Sequence, residues 1–185
     1  MGDEDFKVNT EIIDESFDYL YPNLNDPNFN MKLSLRQEFA DNKYNGVIAN
    51  VKKKSDEMYN ADFELSPHQL FVKNFMSFQT PYNSLLLYHG LGSGKTCSAI
   101  SIAEEMRDYL KQVGIKNRTI IVASPNVQGN FKTQLFDPSR LKKINGIWNI
   151  RSCTGNKFLQ EINPMSVKNL NKERVVSQIN QIINS

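Results

Sequence analysis

Residues 89–97 read His-Gly-Leu-Gly-Ser-Gly-Lys-Thr-Cys, and they sit between two apolar stretches, SLLLY and SAI. Glycines at positions 90, 92 and 94 let a chain curl until successive amide N–H groups converge, with no Cβ in the way. Lys95 adds an ammonium that acts as a point charge toward β- and γ-phosphate oxygens. Thr96 adds a hydroxyl able to take one position around Mg²⁺, the metal keeping water and phosphate oxygens for the rest. Gly90, Leu91, Gly92, Ser93, Gly94, Lys95, Thr96 and Cys97 therefore form a candidate cradle for a nucleoside triphosphate and its magnesium ion. The pattern is the G-x-G-K-T form of the phosphate-loop motif. It departs from the longer form, because His89 stands where that form begins with glycine. A dinucleotide fingerprint does not fit, since the third glycine is missing at the required spacing and a Lys-Thr pair has no role there.

Such a loop needs a strand before it and a helix after it, so that the phosphates meet unpaired amides and the positive end of a helix dipole. SLLLY, 84–88, is a short apolar run suited to a strand buried on both faces of a parallel sheet. The spacing predicts a helix from Lys95 to Val113 that buries Ile100, Ala103, Met106 and Leu110 and ends at Gly114. RTIIVAS, 118–124, reads as a second buried strand, NVQGNFKTQLF as a helix weakened by Gly129, and GIWNIRSC as a third strand. Upstream, SPHQLFVKNFMSF predicts a helix with Ser66 as N-cap, Pro67 at its first position and Phe71, Phe75 and Phe78 toward a core. The alternation implies an α/β fold: a phosphate-loop parallel sheet with helices on both faces, incomplete, behind an irregular or helical N-terminal extension.

Residues 1–60 form that acidic arm and lead-in, with a helix expected at 31–41 and an exposed helical turn at VKKKSDEMY; residues 61–185 carry the phosphate loop. The 185-residue chain has a net charge of +2, but residues 1–30 hold eight acids and one base, or −7, which leaves +9 for the remainder. Residues 111–160 hold nine bases and one acid, Asp137. A basic stretch of this kind can follow a polyanion or serve as a solvated face. No run approaches the ~20 apolar residues of a membrane span, and MGDEDF is too acidic for a secretory signal. Cys97 and Cys153 fit no metal-ligand spacing and point to a reducing compartment.

Two roles are open to Gln69: its amide can read an adenine edge, or it can return to the N–H of Ser66 in a capping box. Phe63 can stack on a base or join the core. Ser124, Pro125 and Asn126 end the second strand and open a helix, either as an N-cap or as a contact to a sugar–phosphate backbone. Thr154, Gly155, Asn156 and Lys157 make a comparable turn. His68 and His89 are isolated, and Cys97 reads as a small apolar residue on the loop's helix. Hydrolysis at such a site calls for an acidic pair after a buried strand. Past the loop's second strand the acids are Asp137, Glu161 and Glu173, each isolated, and EIIDES, 11–16, precedes the loop. On this reading the chain binds a nucleotide better than it hydrolyses one and stops before its acidic motif.

Taken together, FELSPHQLFVKNF, LLLYHGLGSGKTCSAI, TIIVASPNVQGNFKTQLFD and WNIRSCTGNKF resemble the superfamily 2, Swi2/Snf2-like helicases and ATPases of large nucleocytoplasmic DNA viruses. Poxvirus nucleoside triphosphatase I and the early transcription factor ATPase subunit are of this kind. The resemblance covers roughly residues 20–185 and implies the N-terminal part of a RecA-like ATP-binding domain. It implies Gln69 as an adenine-reading glutamine, Gly92, Gly94, Lys95 and Thr96 as the nucleotide motif, and Ser124, Pro125 and Asn126 as a nucleic-acid contact. ATP and Mg²⁺ are the implied cofactors. DNA is the favoured nucleic acid, viral RNA polymerase or transcription factor subunits are the implied partners, and the virion or host cytoplasm is the implied location. Two functions follow. One is the ATP-binding segment of a viral DNA-dependent ATPase or helicase in transcription; the other is a stand-alone nucleotide-binding or interaction module without hydrolytic activity. A small phosphate-loop kinase shares the loop but lacks recognisable acceptor-site and lid residues.

Overall fold

The computed structural model describes residues 20–44, 46, 50, 52–53, 56, 64–162 and 168–184. EIIDES, Phe63 and most of VKKKSDEMY lie outside these. Where a helix was expected over 31–41, the chain forms α1 (Phe29–Leu35) and α2 (Gln37–Ala40), broken at Arg36, whose backbone is extended at φ −72°, ψ 137°. The break sets the Arg36 guanidinium over the Tyr21 ring, 3.7 Å from its centroid, and beside Glu38 at 3.2 Å. Such pairing offsets the lost helical hydrogen bonds. Leu33, Phe39, Phe75 and Tyr82 make the first core, with Phe75 and Tyr82 stacked at 4.5 Å.

Ser66 and Pro67 open α3 (Pro67–Phe75) as expected. Its Val72 and Phe75 are buried, whereas Phe71 is 38% exposed and Phe78, past the helix end, stacks on Tyr109 at 4.2 Å. The long helix α4 (Lys95–Gln112) follows the expected span; Ile100 is fully buried, and Ala103, Met106 and Leu110 are half-buried. Gly114 ends it at φ +76°, a conformation that favours glycine, and the Ile115 N–H returns to the Leu110 carbonyl at 2.8 Å. Helix α5 (Pro125–Leu135) contains Gly129 without breaking.

The expected parallel sheet is not formed among the described residues. Residues 84–88 and 118–124 take no regular secondary structure and join no ladder, and Leu86, Tyr88, Ile120 and Val122 are 85–94% exposed. A central strand is held by hydrogen bonds to neighbours on both edges and by cover on both faces. Neither segment meets a neighbouring strand here. The one sheet among the described residues is an antiparallel hairpin, β1 (Leu141–Ile144) and β2 (Ile147–Ile150), so GIWNIRSC supplies a strand of a different kind from that expected. Asn145 and Gly146 form its two-residue turn with φ +50° and +79°, as such hairpins require.

Phe136, Leu141, Ile150, Phe158, Leu159, Ile162, Val175 and Ile179 form a second core between the hairpin, α6 (Lys157–Glu161) and α7 (Lys172–Asn184). Helix α4 spans the gap between the two cores. On one side Lys73 of α3 pairs with its Glu105 at 2.7 Å. On the other, its Glu104, Arg107, Asp108 and Lys111 face Lys157 and Glu161 of α6. The architecture is mixed helix with a small two-stranded sheet, compatible with an incomplete α/β domain.

Candidate nucleotide-binding site

The phosphate-loop residues occupy a bend between the irregular segment 84–90 and the first turn of α4. Gly92 and Gly94 have φ of +80° and +78°, so the bend depends on the residue type at both positions. Gly94 is the N-cap of α4; no side chain caps the helix there, and its first turn carries no acid. The amides at this helix start are therefore left to a ligand or to water, with the positive end of the helix dipole behind them.

The Lys95 ammonium folds back over the loop and donates to the carbonyls of His89 and Gly90, 2.8 Å each. Ser93 Oγ is buried and has no hydrogen-bond partner among the described residues. A buried hydroxyl without a partner is costly and is expected to be met by a ligand or water. Thr96 and Cys97 follow on α4, both half-buried. Leu91 at the tip is fully exposed. This set of donors fits a polyphosphate and, through Thr96, a magnesium ion.

The loop leans on the start of α3. The N–H of Ser66 donates to Gln69 Oε1 at 2.9 Å, forming the capping box. The other end of the same amide donates to the Gly94 carbonyl at 3.2 Å. Both ends of Gln69 are engaged and the side chain is buried. An adenine contact at Gln69 requires its amide to leave Gly94. A Cβ at Gly94 would collide with this amide, a second reason for glycine there. His68, isolated in the sequence, is not isolated in space: its Nε2 lies 2.8 Å from the Ser93 carbonyl, and its ring meets that of His89 edge-on at 5.8 Å. Two consecutive α3 side chains thus hold two consecutive loop carbonyls. Chain separation hides this contact, although a histidine next to a capping glutamine is its one visible trace.

Ser124, Pro125 and Asn126 open α5 and are exposed. Ser124 stands at the N-cap position, yet its hydroxyl makes no cap bond, so the side chain is presented to solvent. Thr154, Gly155, Asn156 and Lys157 are turned inward: Asn156 Oδ1 accepts from the Ile150 N–H at 2.9 Å and Lys157 reaches Asp108 at 2.8 Å. The cysteines differ from expectation. Cys97 and Cys153 are joined as a disulfide across 56 residues, a pairing that no local spacing reveals.

At the far end of α4, Arg107 meets Glu104 at 2.8 Å and also pairs with Glu161. Burial works against the guanidinium charge, but hydrogen bonds to Glu161 and Glu104 outweigh it and hold Arg107 above its ordinary range. Burial likewise opposes ionisation of Glu161, and Arg107 and Lys111 overcome it, leaving that carboxyl below its usual value. The cluster fixes α4 against α6 rather than performing chemistry.

No family model and no solved structure matches the chain, and no described helix is long and apolar enough to cross a membrane. Sequence relatives exist among the proteins of large DNA viruses. A protein of Acanthamoeba polyphaga mimivirus named a putative ATP-dependent RNA helicase is 34% identical over 117 residues, which is 62% of this chain and 18% of that protein. A second mimivirus protein of the same description is 23% identical over 174 residues, 88% of this chain and 14% of its own length. A protein of Frog virus 3 named a putative helicase is 43% identical over 56 residues, 30% of this chain and 6% of its length. The chain thus spans less than a fifth of the length of these relatives, and its similarity is to viral proteins named as helicases.

Proposed function

We propose that this chain is the ATP-binding segment of a viral DNA-dependent ATPase or helicase acting in viral transcription, in the virion or the host cytoplasm. The observation that carries the reading is the glycine bend at the start of α4. Uncapped helix amides, an unpartnered Ser93 hydroxyl and the Lys95 ammonium meet there. The viral relatives named as helicases support the same ligand. In this reading residues 61–185 are the first part of a RecA-like domain and residues 1–60 its lead-in. Lys95 exchanges the carbonyls of His89 and Gly90 for phosphate oxygens, and Ser93 donates its free hydroxyl. Thr96 holds Mg²⁺, which when bound neutralises phosphate charge. Gln69 supports the loop through Gly94, and reads adenine once its amide turns away. Ser124 and Asn126 touch the nucleic-acid backbone.

Relatives named as RNA helicases make RNA a competitor to DNA, so both polynucleotides belong in the assay. Titration of the full chain with Mg-ATP is the direct test. Binding is expected, and Lys95→Ala should weaken it about tenfold or more, the value of a charge-assisted contact. Unchanged affinity in that variant would defeat the site assignment. The relatives do not favour a stand-alone module.

A further inference from the structure

Cys97 lies in the first turn of α4, two residues past Lys95, and Cys153 lies in the turn after β2. Their Cα atoms are 5.0 Å apart, within the span a disulfide bridges without backbone movement. The turn carrying Cys153 links β2 to α6, which supply Ile150, Phe158 and Leu159 to the C-terminal core, and it is bonded to the end of α5. Its Cys153 N–H donates to the Gln134 carbonyl at 3.3 Å, and Thr154 Oγ1 reaches the Leu135 carbonyl at 3.4 Å. Helix α4 is therefore tied to that core at both ends by different means. Ion pairs at residues 104–111 tie the end remote from the loop, and a sulfur–sulfur bond ties the end beside it. The two sulfurs are also unequal. Cys97 is half-buried, whereas Cys153 is 5% exposed.

We infer that Cys97 and Cys153 are a thiol–disulfide couple that sets the affinity of the adjoining phosphate loop, a redox modification site resting on the nucleotide-binding reading above. In the reduced form Cys97 is the accessible sulfur, placed where the start of a helix favours a thiolate. It attacks one sulfur of a small-molecule disulfide, forms a mixed disulfide and expels the first thiolate. The Cys153 thiol then loses its proton, attacks Cys97 sulfur and expels the second thiolate. Two protein thiols and one disulfide become one cystine and two small thiols. The protein loses two electrons and the reagent gains them. Dithiols of this kind inside cells are redox-sensing more often than structural.

The consequence falls on the loop because α3 holds it from the other side. His68 and Gln69 grip the carbonyls of Ser93 and Gly94, and the cystine holds the next turn, so the helix-start amides are fixed before a phosphate arrives. A binding site held in its bound geometry loses less entropy on binding. Reduction frees the turn on one side, and the loop then has to be ordered by its ligand.

The test uses the full chain equilibrated with glutathione disulfide or with dithiothreitol, each state verified by mass spectrometry of non-reduced tryptic peptides. Mg-ATP is then titrated into both. The oxidised form should show a linked Cys97–Cys153 peptide and bind about fivefold more tightly than the reduced form. In dithiothreitol Cys153→Ser should bind like the reduced wild type, and with glutathione disulfide it should form no linked peptide and stop at the glutathione adduct on Cys97. Because the wild-type comparison needs no substitution, poor folding of that variant leaves the result intact. Equal affinity in fully oxidised and fully reduced chains would overturn the coupling while leaving nucleotide binding in place. Failure to form the linked peptide would overturn the couple itself. Binding in neither state would count against the nucleotide reading and remove the coupling with it.

Discussion

His68 Nε2 lies 2.8 Å from the carbonyl oxygen of Ser93, joining the first turn of α3 to the phosphate loop across 25 residues of chain. With Gln69 on the Gly94 carbonyl, it makes the start of α3 the support on which the loop rests. If the support matters for binding, the donor is what counts rather than the ring. His68→Phe keeps a ring against His89 and should weaken Mg-ATP binding about fivefold, the value of one hydrogen bond. His68→Gln, which can still donate, should recover most of the loss. Isothermal titration of the three proteins decides it, and equal loss in both variants would assign His68 to packing.

At Gly94 a side chain meets a backbone penalty and would also push the Gln69 amide off the Gly94 carbonyl. The position has φ +78°, and an added Cβ would strike the Gln69 amide. Gly94→Ala should lower stability by about 1–2 kcal/mol and cut Mg-ATP affinity. Gly92→Ala has open space and shares only the φ penalty, so it should cost less. Chemical denaturation of both gives the order.

The ion pairs between α4 and α6 predict a pH dependence. Glu161 is held below its ordinary carboxylate value by Arg107 and Lys111. A depressed folded-state value contributes stability that is present above the unfolded carboxylate range and is lost as pH falls through the folded value. Glu161→Gln should therefore cost about 1 kcal/mol near neutrality, solvent screening part of the ion pairing. The gap between the two melting curves should then close on acidification below the range of an unperturbed glutamate. A gap that stays constant down to strongly acid pH would contradict it.

Reduction of the cystine should also be visible in global stability. A bond closing a loop of 56 residues removes denatured-state entropy worth about 4 kcal/mol. For a chain of this size that corresponds to a melting temperature about 10 °C lower in dithiothreitol. Differential scanning calorimetry with and without reductant measures it, and coincident transitions would show that the bond adds no constraint.

Polynucleotide contact can be separated by charge. Ser124 and Asn126 are uncharged and exposed, so the double alanine variant should lower affinity for single strands severalfold without changing the slope against salt. Lys142 and Lys143, exposed on β1, should do the reverse if they face phosphates: their replacement by alanine flattens the slope by about one to two. Filter binding over a salt series, with DNA and with RNA, distinguishes the two cases.

Local signals were legible in the sequence and long-range ones were not. The Ser66 cap, the span of α4, its stop at Gly114 and the glycine bend all follow from neighbouring residues, and each is found in place. The Asn145-Gly146 turn is an equally local signal, flanked by Ile144 and Ile147, and it is incompatible with the parallel strand expected over GIWNIRSC. Apolar character alone misled at Leu86 and Val122. A run of such residues states that cover is favourable, not that a neighbouring strand is there to provide it. The contacts of His68 and Cys97 join residues 25 and 56 apart, and no periodicity reports on them.

The placement of the Lys95 ammonium bears on how any anion would enter. Because it already lies on two carbonyl oxygens, an arriving anion trades partners with it and gains only the difference between the two sets. A lone inorganic phosphate, with few other contacts to offer, should scarcely displace those carbonyls, whereas a longer polyanion that also engages the helix amides can. The resting lysine is in that sense a threshold, rejecting small ions that cannot match what it already holds.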